Sequence, residues 1–289
     1  VVKILNKVIP VFIGGTGRSG TTITLELLGQ HSNFYASNPL EVRIVTENDG
    51  LLDSFENNSL ENFNTKAELF WFNRTKQNEG LYKSVNKETI NKMTKELNEN
   101  FIKNSKDATR QFYIDIFKNQ DTFKSDKLYI GDSTPSNIRY SNRINKIFPE
   151  AKFIHTFRDG RDAAYSIYLM RKYFNLAGNK TEFDALDWWY DRIVQSFSAL
   201  NDLDNDKYIS IRFEDLIINQ RKKSFLKILN FLNLEEEENI SNYFNLNVKK
   251  ENMKIGLWKT LYTSEDFDNK YTEMLLKLKE QNIIIEKYY

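Results

Sequence analysis

The apolar run Val11-Phe12-Ile13 passes directly into Gly14-Gly15-Thr16-Gly17-Arg18-Ser19-Gly20-Thr21-Thr22. This junction constrains the fold more than any other stretch of the chain. A short apolar run, a glycine-rich turn and a helical pattern read as buried strand, tight turn and helix N-terminus. Gly15 and Gly20 have the spacing of a nucleotide-binding P-loop, but Thr21 stands where its lysine belongs. The nearest cation, Arg18, lies inside the loop instead. Backbone N–H groups and the helix dipole make such a turn an anion cradle. Gly20 lets the backbone approach the anion, and Ser19, Thr21 and Thr22 each bring a hydroxyl. A plain strand-to-helix turn needs neither the arginine nor the threonine pair.

Three further apolar runs end at polar or glycine punctuation: residues 128–130, 153–157 and 208–213. Short and nearly continuous in apolar residues, they read as strands buried on both faces. Helical patterns follow. Residues 22–28 end at Gly29, the expected left-handed residue after a helix. Residues 162–174 follow the third strand. Ala185, Trp189, Ile193 and Phe197 share one helix face, as do Phe225, Ile228, Leu229 and Leu232. Thr263-Ser264-Glu265-Asp266 resembles a capping box ahead of Phe267, Tyr271, Met274 and Leu278. Strands alternating with helices predict an α/β fold: a P-loop-like central parallel sheet flanked by helices. Residues 50–123 are polar and helix-prone without strand signals, and read as a helical insert in one domain spanning residues 1–289. The acidic run 235–238 reads as a solvated helix end or loop.

Lys and Arg total 41 against 40 Asp and Glu, a net charge of +1. That balance argues against a nucleic-acid partner, which calls for a basic surplus. No apolar run approaches the roughly 20 residues of a membrane span. The sequence opens on Val1, so a preceding signal or anchor stays open; the residues given lead to the expectation of a cytoplasmic protein. Cysteine is absent, which excludes disulfides and thiolate metal sites. The N-x-[ST] triplets at Asn57, Asn73, Asn179 and Asn239 are chance matches in an asparagine-rich chain. The sequence does not specify an oligomeric state.

A second constellation follows the strand at 153–157: Arg158-Asp159-Gly160-Arg161-Asp162-Ala163-Ala164-Tyr165-Ser166. Arg158 closes the strand, and Ser166 lies about two turns into the helix at about 3.6 residues per turn. An arginine fork matches a phosphate, and a hydroxyl completes it. The competing reading is a surface Arg–Asp pair at a helix start.

Residues 18–22 resemble the 5′-phosphosulfate loop of sulfotransferases that use 3′-phosphoadenosine-5′-phosphosulfate (PAPS). The longer frame, from Phe12 through Leu27, Leu28 and His31, resembles the tyrosylprotein-sulfotransferase and bacterial sulfotransferase branch. The likeness covers residues 10–45, 128–172 and 205–260. It implies that Arg18, Ser19, Gly20, Thr21 and Thr22 hold the 5′ end of the cofactor and that Arg158 and Ser166 hold its 3′-phosphate. It implies a glycine–tryptophan segment closing over the cofactor at 254–259. Lys254 represents that segment as a ligand; spacing does not choose among Lys249, Lys250, Lys254 and Lys259. The branch carries Glu-x-Arg where this chain has Glu41-Val42-Arg43, which implies Glu41 as the base for the acceptor hydroxyl and Arg18 as its catalytic partner.

The expected reaction is transfer of a sulfuryl group from PAPS to a hydroxyl on a small molecule, glycan or peptide tyrosine, leaving adenosine 3′,5′-bisphosphate (PAP), with no metal. Two departures stand out. Ser133 stands where the protein-tyrosine branch has a lysine, which bears on the acceptor, and Phe213 replaces the tyrosine of an R-Y-E-D-L stretch, here Arg212-Phe213-Glu214-Asp215-Leu216, which removes a cofactor-side hydroxyl. His31 and His155 are read as structural, and Trp188 and Trp189 as core. Trp71, Phe72, Tyr82, Phe112, Tyr113, Tyr173 and Phe174 suit either an acceptor wall or a core. The rival readings are a P-loop kinase with Asp132 on magnesium, and a catalytically silent nucleotide-binding member of the fold.

Overall fold

The structure, a computed structural model, describes residues 8–73, 80–124, 126–174, 181–261 and 265–287. Thr263, Ser264 and Asn179 lie outside the described residues, as does the side chain of Phe174. The apolar runs form strands β1 (Ile9–Gly15), β3 (Tyr129–Asp132), β4 (Lys152–Phe157) and β5 (Tyr208–Arg212), joined by a short β2 (Phe34–Ala36). They make one parallel sheet in the order β2-β3-β1-β4-β5. The chain leaves β1 for β2 and β3, then crosses back over β1 to β4 and β5. The strand order therefore reverses about β1, and the crevice at its C-terminal end is where ligands bind in open α/β sheets.

The central strand is covered on both faces. Phe12 looks into one core and stacks on Tyr113 (5.3 Å between ring centroids) and Phe153 (5.8 Å). Val11 and Ile13 look into the other, among Leu25, Leu28, Phe225 and Ile228. Each such side chain contributes roughly 1.5–3 kcal/mol by leaving water. This double burial is why β1 reads as an unbroken apolar run.

Helix α1 (Thr21–Leu28) follows the glycine loop. Gly29 is right-handed (φ −61°), contrary to the left-handed role expected of it. It is glycine for a different reason: a Cβ there would lie 2.9 Å from the Ala36 Cβ. The insert carries α2 (Leu51–Asn57), α3 (Glu61–Ala67), α4 (Lys87–Phe101) and α5 (Ser105–Lys118). Its core is continuous with that of the sheet, because Tyr113 and Phe117 of α5 pack under Phe12. Trp71, Phe72, Phe112 and Tyr113 are buried there, so these aromatics are core, while Tyr173 is exposed.

Beyond the insert come α6 (Ser141–Ile147), α7 (Gly160–Phe174), α8 (Glu182–Asn201), α9 (Arg221–Phe231), α10 (Glu238–Asn247), α11 (Trp258–Leu261) and α12 (Glu265–Glu280). The expected faces are buried: Ala185, Trp189 and Ile193 on α8, Phe225, Ile228 and Leu229 on α9, Phe267, Tyr271, Met274 and Leu278 on α12. The acidic run is more than a solvated end. Glu237 accepts from the Ser32 N–H over 2.8 Å, and the Glu235 carbonyl pairs with His31 Nε2 over 3.0 Å.

Candidate active site

The chain leaves β1 through Gly17 (φ 76°), Arg18 (φ 57°) and Gly20 (φ 94°) before entering α1. Left-handed residues in such a turn bring successive N–H groups to one side, which forms an anion-binding concavity. Arg18 adopts this backbone at a cost of roughly 1–2 kcal/mol. Gly20 admits no side chain, since a Cβ would lie 2.4 Å from the Phe213 ring. The α1 N-terminus has no side-chain cap and no acidic residue in its first turn. Its N–H groups and dipole therefore face the loop without a neutralising group.

The loop hydroxyls differ. Ser19 is fully buried and shares a hydrogen bond with Thr156 of β4 over 3.2 Å. Among the described residues, the Thr21 and Thr22 hydroxyls meet no protein partner. Arg18 is exposed, and its Nε donates to Ser166 Oγ on α7 over 2.9 Å. Arg158, at the end of β4, donates through Nη1 to the Arg18 carbonyl over 3.3 Å. The two motifs thus meet across 140 residues of chain.

Arg158 is caged. Asp162 lies 3.5 Å from its Nη2 and Glu214 3.9 Å from its Nε, the Phe213 ring lies 5.3 Å beneath it, and Nη2 donates to the Lys254 carbonyl. Burial pushes the Asp162 and Glu214 carboxyls above their ordinary range. The Gly256 N–H donates to Asp162 over 2.9 Å, so the 254–259 segment is pinned against α7 by its backbone. The Lys254 side chain itself is exposed.

Arg161 carries a role that the sequence reading missed. Fully buried, it grips Asp159 through Nε (3.0 Å) and Nη2 (2.7 Å), and Asp268 through Nη1 (2.6 Å). It also lies 4.3 Å from the Trp258 ring and 4.8 Å from that of Tyr271. Its signal was the second arginine of Arg158-Asp159-Gly160-Arg161, but its partner Asp268 is 107 residues away.

Glu41 stands on the loop after β2. Arg43, itself left-handed (φ 61°), donates to Glu41 Oε2 through both Nε (2.9 Å) and Nη2. Arg43 also pairs with Glu47 at 3.2 Å, and Trp71 Nε1 donates to Glu47 over 3.2 Å. Glu41 Oε1 has no protein partner among the described residues. No hydrogen bond or ion pair joins Glu41 to the glycine loop among them.

Asp132 fastens this loop to the sheet. Its Oδ1 accepts from the Val42 N–H (3.1 Å), the Thr134 N–H (2.9 Å) and the Thr134 hydroxyl (2.7 Å). Asn137 donates to Oδ2 over 3.2 Å and to the Ile13 carbonyl over 3.3 Å. Burial raises the Asp132 carboxyl, and its oxygens are spent on the fold rather than offered to a magnesium ion. Ser133, also buried, donates its hydroxyl to the Leu40 carbonyl over 2.9 Å and brings no charge.

The histidines are structural. The Asn33 N–H donates to His31 Nδ1 over 3.0 Å, which leaves Nε2 to donate to the Glu235 carbonyl. His155 lies inside the sheet, edge-on to Phe197 at 4.9 Å, and burial lowers its pKa to about 3. Trp189 is fully core; Trp188 is half-buried and packs against the same core, with its Cη2 3.5 Å from where a Cβ on Gly17 would lie.

An α/β sheet with an anion loop and a caged second arginine matches a known family over most of its length. Residues 10–238 fit the model described as sulfotransferase family. The chain belongs to the sulfotransferase family. Sulfuryl transfer is therefore the general chemistry of the chain. The sulfotransferase domain from the curacin biosynthetic pathway shares the fold, with a TM-score of 0.54 at 16% identity over 94% of this chain and 97% of that one. The sulfotransferase domain of the Synechococcus PCC 7002 olefin synthase gives 0.53 at 15% identity over 96% and 95%. A sulfotransferase from Alicyclobacillus acidocaldarius gives 0.53 at 14% identity over 96% of each chain. Among the described residues of this sulfotransferase, no group of acidic or histidine side chains is placed to hold a metal ion. No helix among them is long and apolar enough to cross a membrane.

Proposed function

We propose that this sulfotransferase, working as one domain, moves a sulfuryl group from PAPS to a hydroxyl of a small molecule, glycan or peptide tyrosine. The observation that carries the reading is the meeting of two anion-binding motifs, Arg18 on Ser166 and Arg158 on the Arg18 backbone. The residues fit the ligand. Arg158 Nε is buried without a hydrogen-bond partner, the Thr21 and Thr22 hydroxyls are unpaired, and α1 starts without a cap.

The N–H groups of residues 18–22, the two threonine hydroxyls and the Arg18 guanidinium hold the 5′-phosphosulfate. Ser19 contributes its backbone, because its hydroxyl is turned to Thr156. Arg158 and Ser166 hold the 3′-phosphate, and exposed Lys254 adds charge at the rim. Bound there, PAPS supplies an activated sulfuryl group whose departure leaves PAP. Glu41 takes the proton of the acceptor hydroxyl at Oε1, while Arg43 fixes Oε2 and so the direction of the carboxylate. Arg18 stabilises the charge that grows on the leaving phosphate, since Ser133 supplies none.

Thermal-shift titration tests the donor. PAP at about 100 times its dissociation constant should add about 2.7 kcal/mol of stability. A shift with ATP and magnesium but none with PAP would overturn the assignment in favour of a kinase.

A further inference from the structure

Arg43 divides its guanidinium between two carboxylates. Nε (2.9 Å) and Nη2 donate to Glu41 Oε2, and Nη1 donates to Glu47 Oε1 over 3.2 Å. Glu47 is held in turn, because its Oε2 accepts from Trp71 Nε1 over 3.2 Å. An unbroken line of hydrogen bonds therefore runs from the helical insert through Trp71, Glu47 and Arg43 to Glu41.

The far end of this line is anchored. Trp71 is buried and stacks on Phe63, with ring centroids 5.4 Å apart, and Phe63 meets Phe112 of α5 edge-on at 5.9 Å. The chain reaches Trp71 through one π-helical turn, Glu68–Phe72, directly after α3. The Asn73 N–H closes that turn on the Glu68 carbonyl over 2.9 Å. Such wide turns are rare and concentrate at functional sites. The main chain at the near end is fixed as well. The Arg43 N–H donates to the Thr134 hydroxyl over 2.9 Å, and the Glu47 N–H donates to the Arg43 carbonyl over 3.1 Å. What the backbone leaves loose is the long Arg43 side chain. A guanidinium gripped along one edge still pivots about that edge; gripped along two, it holds one plane.

We propose that Glu47 and Trp71 are positioning residues for sulfuryl transfer: Trp71 fixes Glu47, Glu47 fixes the second edge of Arg43, and Arg43 then holds Glu41 with Oε1 toward the acceptor. This rests on the reading of Glu41 as the base. The insert thereby serves the reaction as a brace for the base, with its aromatic residues in the core. The alternative is that Glu47 only satisfies a buried indole N–H, which needs a partner wherever it lies.

Two measurements separate these. The first is the Arg43 Nε–H signal in proton–nitrogen NMR spectra, identified by its loss in Arg43→Lys. Glu47→Gln and Trp71→Phe should each move or broaden it, although Nε donates to neither residue. The second is transfer from PAPS to 4-methylphenol. Both variants should lower kcat by about 10-fold or more, the effect of a misplaced reacting group, with PAP affinity unchanged. Added to Glu41→Gln, Glu47→Gln should cost nothing further, because it acts through Glu41. A structural role would lose the same factor in both backgrounds. Glu47→Gln keeps the side chain's shape, so it decides the matter even where Trp71→Phe fails to fold. An Arg43 signal indifferent to Glu47→Gln, or losses that add to that of Glu41→Gln, overturns the brace. A native chain that binds PAP but does not sulfate 4-methylphenol would count against the phenol acceptor instead, and the Arg43 signal would then decide the brace alone.

Discussion

The two flanks of the glycine loop handle charge in opposite ways. On the β4–β5 side the cations are enclosed. Arg158 and Arg161 are buried among Asp159, Asp162, Glu214 and Asp268, and the 254–259 segment is tied down over them. On the β2–β3 side an acid, Glu41, is steered by Arg43, while Arg139 makes no ion pair among the described residues. A constant ligand such as a nucleotide is served by groups whose geometry is set beforehand. An acceptor is served by charges that stay available. The difference teaches that the same residue type, arginine, is scaffold on one flank and free valence on the other.

The sharpest way to break this comparison is Glu41→Gln. It should lower turnover by about 10²–10⁴-fold, the usual worth of a positioned base. PAP affinity by calorimetry should not change, because the proposed role of Glu41 is toward the acceptor. A loss of PAP affinity would mean that the flanks are not separate, and undiminished turnover would move the base elsewhere.

Next in size comes the contrast between Arg158→Ala and Arg18→Ala. Removing Arg158 strands Asp162 and Glu214 in the interior, at a cost of about 3–5 kcal/mol in denaturant unfolding. PAP affinity should also fall by about 10–100-fold through the lost charge-assisted bonds. Exposed Arg18 should cost within about 0.5 kcal/mol of stability, yet slow single-turnover transfer by about 10²–10³-fold. Equal stability losses in the two variants would erase the distinction between caged and open cations.

The smallest effect concerns His155, buried on β4 between β1 and β5. Its pKa is about 3 in the folded chain, against about 6.5 unfolded. The depressed value means that the full contribution is present above pH 6.5 and is lost as pH falls from there toward 3. The loss is about 1.4 kcal/mol per pH unit. His155→Gln should flatten urea-unfolding stability between pH 6.5 and 4.5 relative to the native chain. Parallel pH profiles would show that the imidazole is not held neutral.

Much of the fold was legible because its signals are local. Val11-Phe12-Ile13 announces a doubly covered strand, and the four-residue recurrence on α8 announces a buried face. Gly29 shows the limit: as a helix-ending glycine it suggested backbone handedness, whereas Ala36 across the αβ unit demands it for space. The aromatic residues of the insert were equally suited to core and wall. Continuity with Phe12 through α5 decided it.

By itself the sequence determined the strand–loop–helix cradle, the order of Arg18 before Arg158, and the composition of the Glu41-Val42-Arg43 step. Those depend on periodicity, turn chemistry and spacing, all read within a few residues. Only the tertiary structure decided which charges are spent. Asp268 neutralises Arg161, Asp132 is consumed by the backbone of Val42 and Thr134, and Trp188 is turned to Gly17. The strength of a charge depends on burial and on neighbours a few ångströms away, and folding recruits those neighbours from distant parts of the chain.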